Sequence, residues 1–473
     1  MSTDSTSILI VGGGFSGTAT AIHLLQATAG QRTSITLVNP TSALGRGLAY
    51  GSNDDNQILN VPAGNMSAFA EKPSHFVDYC QNIDPSINPG SFVSRRLYGC
   101  YLEQCLQEAV SAHPERFHAV AGEACEIHAL AAQKGFKVNL TSGECFTAEH
   151  VILAQGHQRP RFPLPLGPLE RALVIDAWDF DRMNRLPSDA SVLIIGTGHT
   201  AVDALFHLTQ QAQPRTVTML SRHGLLPLPH RLNPNPPPVG QYPEYVGKPP
   251  LRMRTLLHQL RQEVARQASA GADWRDVLNQ LRPHTPRLWQ ALSLAERQRF
   301  LRHALAFWDV HRHRLAPQAA DRLKSLLKTK NVQVLAARLL AVSGTASGEL
   351  NVELRPRGQP STHTLKVAAI INCTGPSMVI GPRSHSLFQQ LVEDQLLTPS
   401  PCGLGLQVND RYQPISAQGH AVNGLWYIGP MLKARHWEAT AVPELRLHAH
   451  QLARELAKQL ATCSALPAQP ESV

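Results

Sequence analysis

The sequence has no uninterrupted apolar stretch of the roughly 20 residues that a bilayer-spanning helix needs. Its polar start, residues 1–7, lacks the positive charge and small-residue cleavage site of a secretory leader. Both absences predict a cytoplasmic protein without a membrane partner. Cysteine pairing is missing too. The eight cysteines are scattered and form no CxxC pair, which disfavours a zinc site or a disulfide framework in a chain of this length. The nearest two, Cys100 and Cys105, stand five apart in a helical run and do not share a face. Buried thiols are expected rather than a redox dithiol. Aromatics make up only 6%, and no zinc-finger or RNA-recognition signature appears, so nucleic acid is a poor candidate partner. Nucleophile-elbow and zinc-hydrolase motifs are also absent.

What is present is an ordinary globular composition, 43% hydrophobic and 17% charged. At 473 residues the chain is too long for one core, and two or three domains are expected. The net charge of +9 is concentrated: residues 250–330 hold sixteen Lys or Arg against six Asp or Glu. That block has helical spacing. It reads either as a solvated helical face or as an attractor for an anion, whether a substrate or a 2′-phosphate.

An apolar run, Ile8-Leu9-Ile10-Val11, ends in Gly12-Gly13-Gly14-Phe15-Ser16-Gly17 and passes into a helical pattern over 18–27 and a strand over 34–38. The same order returns later: strand 191–195, turn Gly196-Thr197-Gly198-His199-Thr200-Ala201, helix 202–211, strand 216–220. Each is a βαβ unit, and their wide separation indicates two domains rather than a short repeat. Strand 151–153, running to Gly156, has a counterpart in 369–372, running to Gly375. Residues 225–250 are too rich in proline for regular structure. A last strand over 425–428 precedes a helix over 442–461, and the tail beyond Cys463 is expected to fray.

In a dinucleotide turn the first glycine permits the tight bend. The second lets the pyrophosphate approach backbone, and the third lets helix and strand pack closely. The phosphates then sit at the helix N-terminus. Gly12, Gly14 and Gly17 fill these roles, with Phe15 and Ser16 inside the turn. Gly196 and Gly198 fill the first two in the second unit, where Ala201 takes the third place and His199 and Thr200 open the helix. One such motif is weak evidence; its duplication in the same context is stronger. An acid at the end of the second strand usually holds the adenosine ribose. The first unit offers Asn39 instead, which still donates and accepts hydrogen bonds. The second has Ser221-Arg222-His223, and an arginine there suits the 2′-phosphate of NADP. NADPH is expected, with NADH as the alternative and a plain surface arginine as the competing reading.

Further motifs follow in order: Leu44-Gly45-Arg46-Gly47-Leu48-Ala49-Tyr50, Leu59-Asn60-Val61-Pro62-Ala63, Met66-Ser67-Ala68, Ser221-Arg222-His223-Gly224, His311-Arg312-His313-Arg314 and Trp437-Glu438-Ala439-Thr440-Ala441-Val442-Pro443-Glu444. Together they resemble the bacterial FAD-NAD(P)-binding protein family over nearly the whole chain. The resemblance implies an α/β fold of two Rossmann-like domains, with the NAD(P) domain inserted in a split FAD domain. The parts would be 1–165, then 185–365 with a basic helical insertion over 250–330, then 366–463. It also implies that Arg46, Gly47, Tyr50, Asn60 and Met66 lie near the flavin. Gly429 would stand by the FAD pyrophosphate or ribityl chain. Thr440, Ala441 and Val442 would offer backbone N–H groups to the pyrimidine edge. Two departures stand out. Gly429 is followed by Pro430, where many two-domain flavoproteins have an acid. The Baeyer–Villiger fingerprint F-x-G-x-x-x-H-x-x-x-W is unmet, since Val174 occupies the histidine place before Trp178.

The implied chemistry is flavin monooxygenation: NADPH reduces FAD, oxygen forms a C4a-hydroperoxide, and a small nucleophile takes the distal oxygen. More loosely, some relatives hydroxylate an amino nitrogen, aspartate included. Asn60 is the candidate catalytic group, and the 311–314 motif is a candidate attractor for an anionic substrate or the NADP phosphate. An NAD(P)H-dependent reductase serving a protein, quinone or small acceptor stays open as the alternative, as does a nucleotide-binding sensor.

Overall fold

The β-branched runs become the centres of two parallel sheets. The structure, a computed structural model, describes residues 5–130, 134–210, 215–231, 240–381 and 384–465. The end of the expected 202–211 helix, residues 232–239 of the proline-rich stretch and the far tail fall outside these residues.

The chain lays down β1 (Thr6–Val11), β2 (Thr33–Asn39) and β3 (Phe117–Ala121) side by side. It then forms an antiparallel three-stranded sheet of β4 (Ala124–Ala129), β5 (Phe136–Leu140) and β6 (Cys145–Ala148), and returns as β7 (His150–Leu153) on the free edge of β1. Next come β8 (Val174–Asp176), β9 (Ser191–Ile195), β10 (Thr216–Ser221), β11 (Val332–Gly344), β12 (Leu350–Pro356), β13 (His363–Val367) and β14 (Ala369–Asn372), all in a second sheet. Finally β15 (Leu425–Tyr427) rejoins the first sheet beside β7. The orders are β15-β7-β1-β2-β3 and β13-β12-β11-β10-β9-β14-β8. One domain is thus inserted within the other, and the return of β15 is the proof. The second sheet takes in β8 and β14, so it reaches beyond both limits, 185 and 365, expected for the NAD(P) domain.

Parallel strands covered on both faces need continuous apolar runs, and Ile8, Leu9, Ile10 and Val11 are all buried. Helix α1 (Phe15–Ala27) crosses from β1 to β2, and α2 (His199–Leu208) from β9 to β10. Both begin three residues before the helical pattern seen in sequence, because the glycine turn itself opens the helix.

The basic block forms six α-helices and one short 3-10 turn between Met253 and Leu326, among them α3 (Leu305–Arg312). Their core holds Val246, Leu281, Trp289 and Phe300, and is closed by Trp437 from the segment after β15. The Trp289 and Trp437 rings lie 4.5 Å apart. Two arginines of the block reach buried or half-buried acids beside that segment: Arg312 meets Glu438 at 2.7 Å and Arg282 meets Glu444 at 2.7 Å. Arg261 and Arg302 remain exposed. The block is a solvated face on one side and a buried docking surface on the other.

His150, at the start of β7, is buried and its ring accepts a long hydrogen bond from Trp426 Nε1 at 3.4 Å. Burial lowers its pKa from 6.5 to about 4. The unfolded chain therefore binds the extra proton first, and this stabilisation is whole above pH 6.5 and lost as pH falls towards 4. It amounts to at most about 3 kcal/mol. His150→Gln is expected to flatten the fall in melting temperature between pH 7 and 4; an unchanged slope would refute it.

Candidate functional site

The two glycine turns share one stereochemical plan. Gly12 adopts φ 110° and Gly196 φ 122°, a region open to glycine and costly for other residues. A Cβ on Gly12 would meet the Ala154 carbonyl oxygen at 2.8 Å, and one on Gly196 the Cys373 carbonyl oxygen at 2.1 Å. The third strand of each unit, β7 or β14, presses its last carbonyl against the turn. A Cβ on Gly17 would stand only 1.8 Å from the Gly12 oxygen, so helix and strand meet through bare backbone. Gly14 and Gly198 precede the helices without a capping side chain, and neither first turn carries an acid. The free N–H groups of a helix start favour an anion, and nothing in either turn occupies them.

Around the first turn the structure collects most of the residues singled out in the sequence. Gly45 donates its N–H to the Gly13 carbonyl (2.9 Å), and a Cβ on Gly47 would stand 2.9 Å from the Gly14 Cα. Tyr50 packs edge-on to Tyr98 at 4.7 Å, and Met66 is buried just beyond a short turn. Arg46 is held by Glu103 in a bidentate pair at 2.6 and 2.7 Å. Asn39 braces the loop: its Oδ1 accepts from Gly13 N–H at 3.0 Å, while Nδ2 donates to the Thr41 and Ala43 carbonyls. Gly429, at φ 145°, has no room for a side chain between the Tyr427 hydroxyl and the Gln155 carbonyl. Thr440 donates its N–H to the Glu438 carbonyl at 2.6 Å. The free donors of that loop are therefore those of Ala441 and Val442, at the start of the helix Val442–Ala465. Gln155 carries no sequence motif, yet its buried Oε1 has no partner among the described residues. An orphaned acceptor over a side-chain-free cradle fits a hydroxyl-bearing dinucleotide.

Around the second turn, the Thr197 hydroxyl donates to the Leu225 carbonyl at 2.6 Å and lies 3.0 Å from Ser221 Oγ, which accepts from Gly224 N–H at 2.9 Å. Arg222 is exposed and without a partner among the described residues. His199 stands at the mouth of the turn, its Nε2 donating to the Arg314 carbonyl at 3.1 Å, with Thr200 beside it.

Between the two turns, ionisable side chains from separate segments come within electrostatic reach of one another and form the walls of a candidate cleft. His157 reaches solvent, yet burial, with Lys433 second, lowers its pKa to about 4. The Asp309 carboxyl is 43% exposed, yet burial raises its pKa to about 6 against the pull of Lys433. His313 sits well below its ordinary value, through burial and then Arg312 and His199. Each of these groups is partly in reach of water and partly enclosed by protein. The walls come from three places. His157 and Lys433 belong to the first domain, His199 to the second, and Asp309 and His313 to the helical insertion. Asn60 joins them at one end, its carbonyl accepting from His230 Nε2 at 3.1 Å. Its side-chain amide makes no hydrogen bond among the described residues. Lys433 lies over the Trp437 ring at 4.4 Å.

The four residues of the 311–314 motif do not converge. His311 caps back onto the Phe307 carbonyl, Arg312 pairs with Glu438, His313 faces Asp309 at 3.8 Å, and Arg314 bonds Asn279. His313, Arg314 and Arg312 adjoin the cleft groups, Arg312 while paired with Glu438.

Residues 9–158 match the family model described as FAD-NAD(P)-binding. No curated protein matches the chain. Solved structures with the same architecture include three monooxygenases. An FAD-bound cadaverine monooxygenase from Erwinia amylovora has a TM-score of 0.68 at 12% identity, covering 99% of this chain and 97% of that one. An ornithine hydroxylase from Pseudomonas aeruginosa in its reduced form has 0.65 at 16%, covering 97% and 100%. An L-lysine 6-monooxygenase from Pseudomonas syringae has 0.64 at 18%, covering 97% and 99%. At these identities the likeness establishes the fold: this chain has the two-domain architecture of these monooxygenases, end to end. No helix among the described residues is long and apolar enough to cross a membrane.

The Arg312–Glu438 pair ties the insertion to the loop that carries Ala441 and Val442, with side chains 11% and 4% exposed. Removing one partner leaves a buried charge alone, at a cost of about 3–5 kcal/mol. Glu438→Gln is expected to lower the denaturant midpoint by that measure, and the double change Arg312→Met with Glu438→Leu to recover most of it. Equal losses in the single and double variants would contradict the pairing.

Proposed function

We propose that this protein is an FAD-dependent, NADPH-oxidising monooxygenase acting on the nitrogen of a small primary amine. The observation that carries the reading is the pair of bare-backbone helix starts opening on one walled cleft. Two dinucleotides laid along the two turns would bring their reactive ends into the same space. FAD would lie along Gly12, Gly14, Phe15, Ser16 and Gly17. Gln155 Oε1 would accept from a sugar or ribityl hydroxyl, and the N–H groups of Ala441 and Val442 would face the ring edge. NADPH would lie along Gly196, Gly198, His199 and Thr200, with Ser221 and Arg222 at its ribose. When bound, FAD supplies the two-electron relay between NADPH and O2.

The chain's own contribution is to bind, orient and move a proton. A primary amine enters water-borne as an ammonium ion and must lose that proton before its lone pair can take oxygen. The Asp309 carboxylate, with a pKa near 6, is ionised at neutral pH, attracts the ammonium and accepts its proton. Lys433, held over Trp437, would pair with a carboxylate on the same substrate. The neutral imidazole of His157 and the unengaged Asn60 amide line the remaining wall. The balance is NADPH, H+, O2 and R–NH2 to NADP+, R–NHOH and H2O. The fold neighbours named above act on cadaverine, ornithine and lysine, all primary amines, which supports an amine as the first class to assay. No cysteine stands among the cleft residues named here, so an internal dithiol relay has no support there.

The purified protein is expected to carry or take up FAD, and to oxidise NADPH in air faster when the right amine is present. A protein that neither holds nor takes up flavin would end this reading, and NADPH oxidation yielding only peroxide with every amine would favour the reductase. The kcat/KM profile should fall below pH 6 with the protonation of Asp309, and Asp309→Asn should lower it tenfold or more and remove that acid limb.

A further inference from the structure

Four arginines stand together where the second dinucleotide turn ends, and no acid answers them. Arg222 follows β10. Arg338 on β11 and Arg355 on β12 are direct cross-strand partners in an antiparallel register, so their side chains leave the same face of the hairpin. Arg357, just beyond β12, donates from Nη1 to His223 Nδ1 at 2.6 Å. Together with Gly358 and Gln359 they line an open hollow of about 530 Å³. Among the described residues, none of the four forms an ion pair with a carboxylate. Like charges placed directly opposite on neighbouring strands destabilise the sheet that carries them. The arrangement makes physical sense once an anion lies among them.

Position says which anion. β11 pairs in parallel with β10, and Ala336 stands opposite Ser221. The hollow therefore adjoins the end of the second strand of a βαβ unit, the place where the adenosine ribose of a dinucleotide rests. Burial, and then Arg357 and Arg222, lower the pKa of His223. Its ring thus accepts from Arg357 and fixes that guanidinium at the rim. Ser221 stands beside Arg222 at the end of β10.

We propose that the antiparallel hairpin, through Arg338 and Arg355, grips the 2′-phosphate of NADPH together with Arg222 and the His223-oriented Arg357. The hairpin then sets the choice of NADPH over NADH. This rests on the nicotinamide site proposed above and adds to it the residues that select the nucleotide. Arg222 alone, the group legible from the strand end, is one of four. Guanidinium groups suit the role because each presents a planar fork of donors to phosphate oxygens.

The test is equilibrium binding of NADP+, NAD+, 2′,5′-ADP and 5′-AMP to the flavin-loaded protein, followed by calorimetry, with no turnover required. NADP+ should bind at least tenfold more tightly than NAD+, and 2′,5′-ADP more tightly than 5′-AMP. Arg338→Ser and Arg355→Ser should each weaken NADP+ and 2′,5′-ADP about tenfold, the order of one charge-assisted contact. NAD+ and 5′-AMP should shift less than twofold. Both positions are exposed on the hairpin, and an unchanged melting temperature and flavin content will show that the variants are folded. If NADP+ is preferred but the preference survives both changes, the hairpin has no part in it and the proposal falls while the nicotinamide site stands. Equal weakening of all four ligands would also overturn it. If none of the four binds, the nicotinamide reading falls and takes the proposal with it.

Discussion

In both domains a helix starts against naked backbone, and the rest of the structure is arranged around that contact. At Gly17 a single methyl group would sit 1.8 Å from the Gly12 carbonyl oxygen. The approach is that close because a third strand closes the turn from the other side, through Ala154 in one domain and Cys373 in the other. The contact pins the first turn of each helix at the carboxyl edge of its sheet, with N–H groups free and no side chain in front of them. An anion-binding surface follows from packing before any ligand-specific residue is considered.

The cleft between those two surfaces is built by long-range assembly. The helical insertion is anchored on the first domain by the close contact of the Trp289 and Trp437 rings and by two arginine–carboxylate pairs. The second domain is anchored by Arg95, which pairs with Asp203 of α2 at 2.9 Å and lies over the Trp178 ring. Buried ion pairs add little net stability against an apolar alternative, but they tolerate few arrangements. Here they hold Asp309, His313 and His199 opposite Lys433 and His157. The altered charge states of those groups are a consequence of that enclosure.

The basic block shows how one stretch of sequence divides between two environments. Its spacing says helix and its composition says cation, and both are correct. Composition does not say which arginines turn inward. Arg312 and Arg314 are two residues apart on the chain, yet one meets Glu438 and the other Asn279. Direction is a property of the helix axis and of what it packs on, and neither is local.

The strands, the two turns and the duplicated plan were legible from the residues, because backbone conformation at a tight turn is a local demand that only glycine meets; the split domain was legible only through the family resemblance. Asn39 was legible as a departure from the acid usual at its position, but not as the brace of the loop, since that depends on where residues 41–43 fold back. Gln155, His157, Asp309 and Lys433 carry no motif. They come from three separate segments of the chain and become a wall only when those segments close on one another. Arg338 and Arg355 are ordinary strand residues until a hairpin register sets them side by side. By itself the sequence determined the cradles, whose chemistry is backbone against backbone over a few residues. Tertiary structure alone decided the cleft, whose chemistry is the mutual burial of charges that the chain holds hundreds of residues apart.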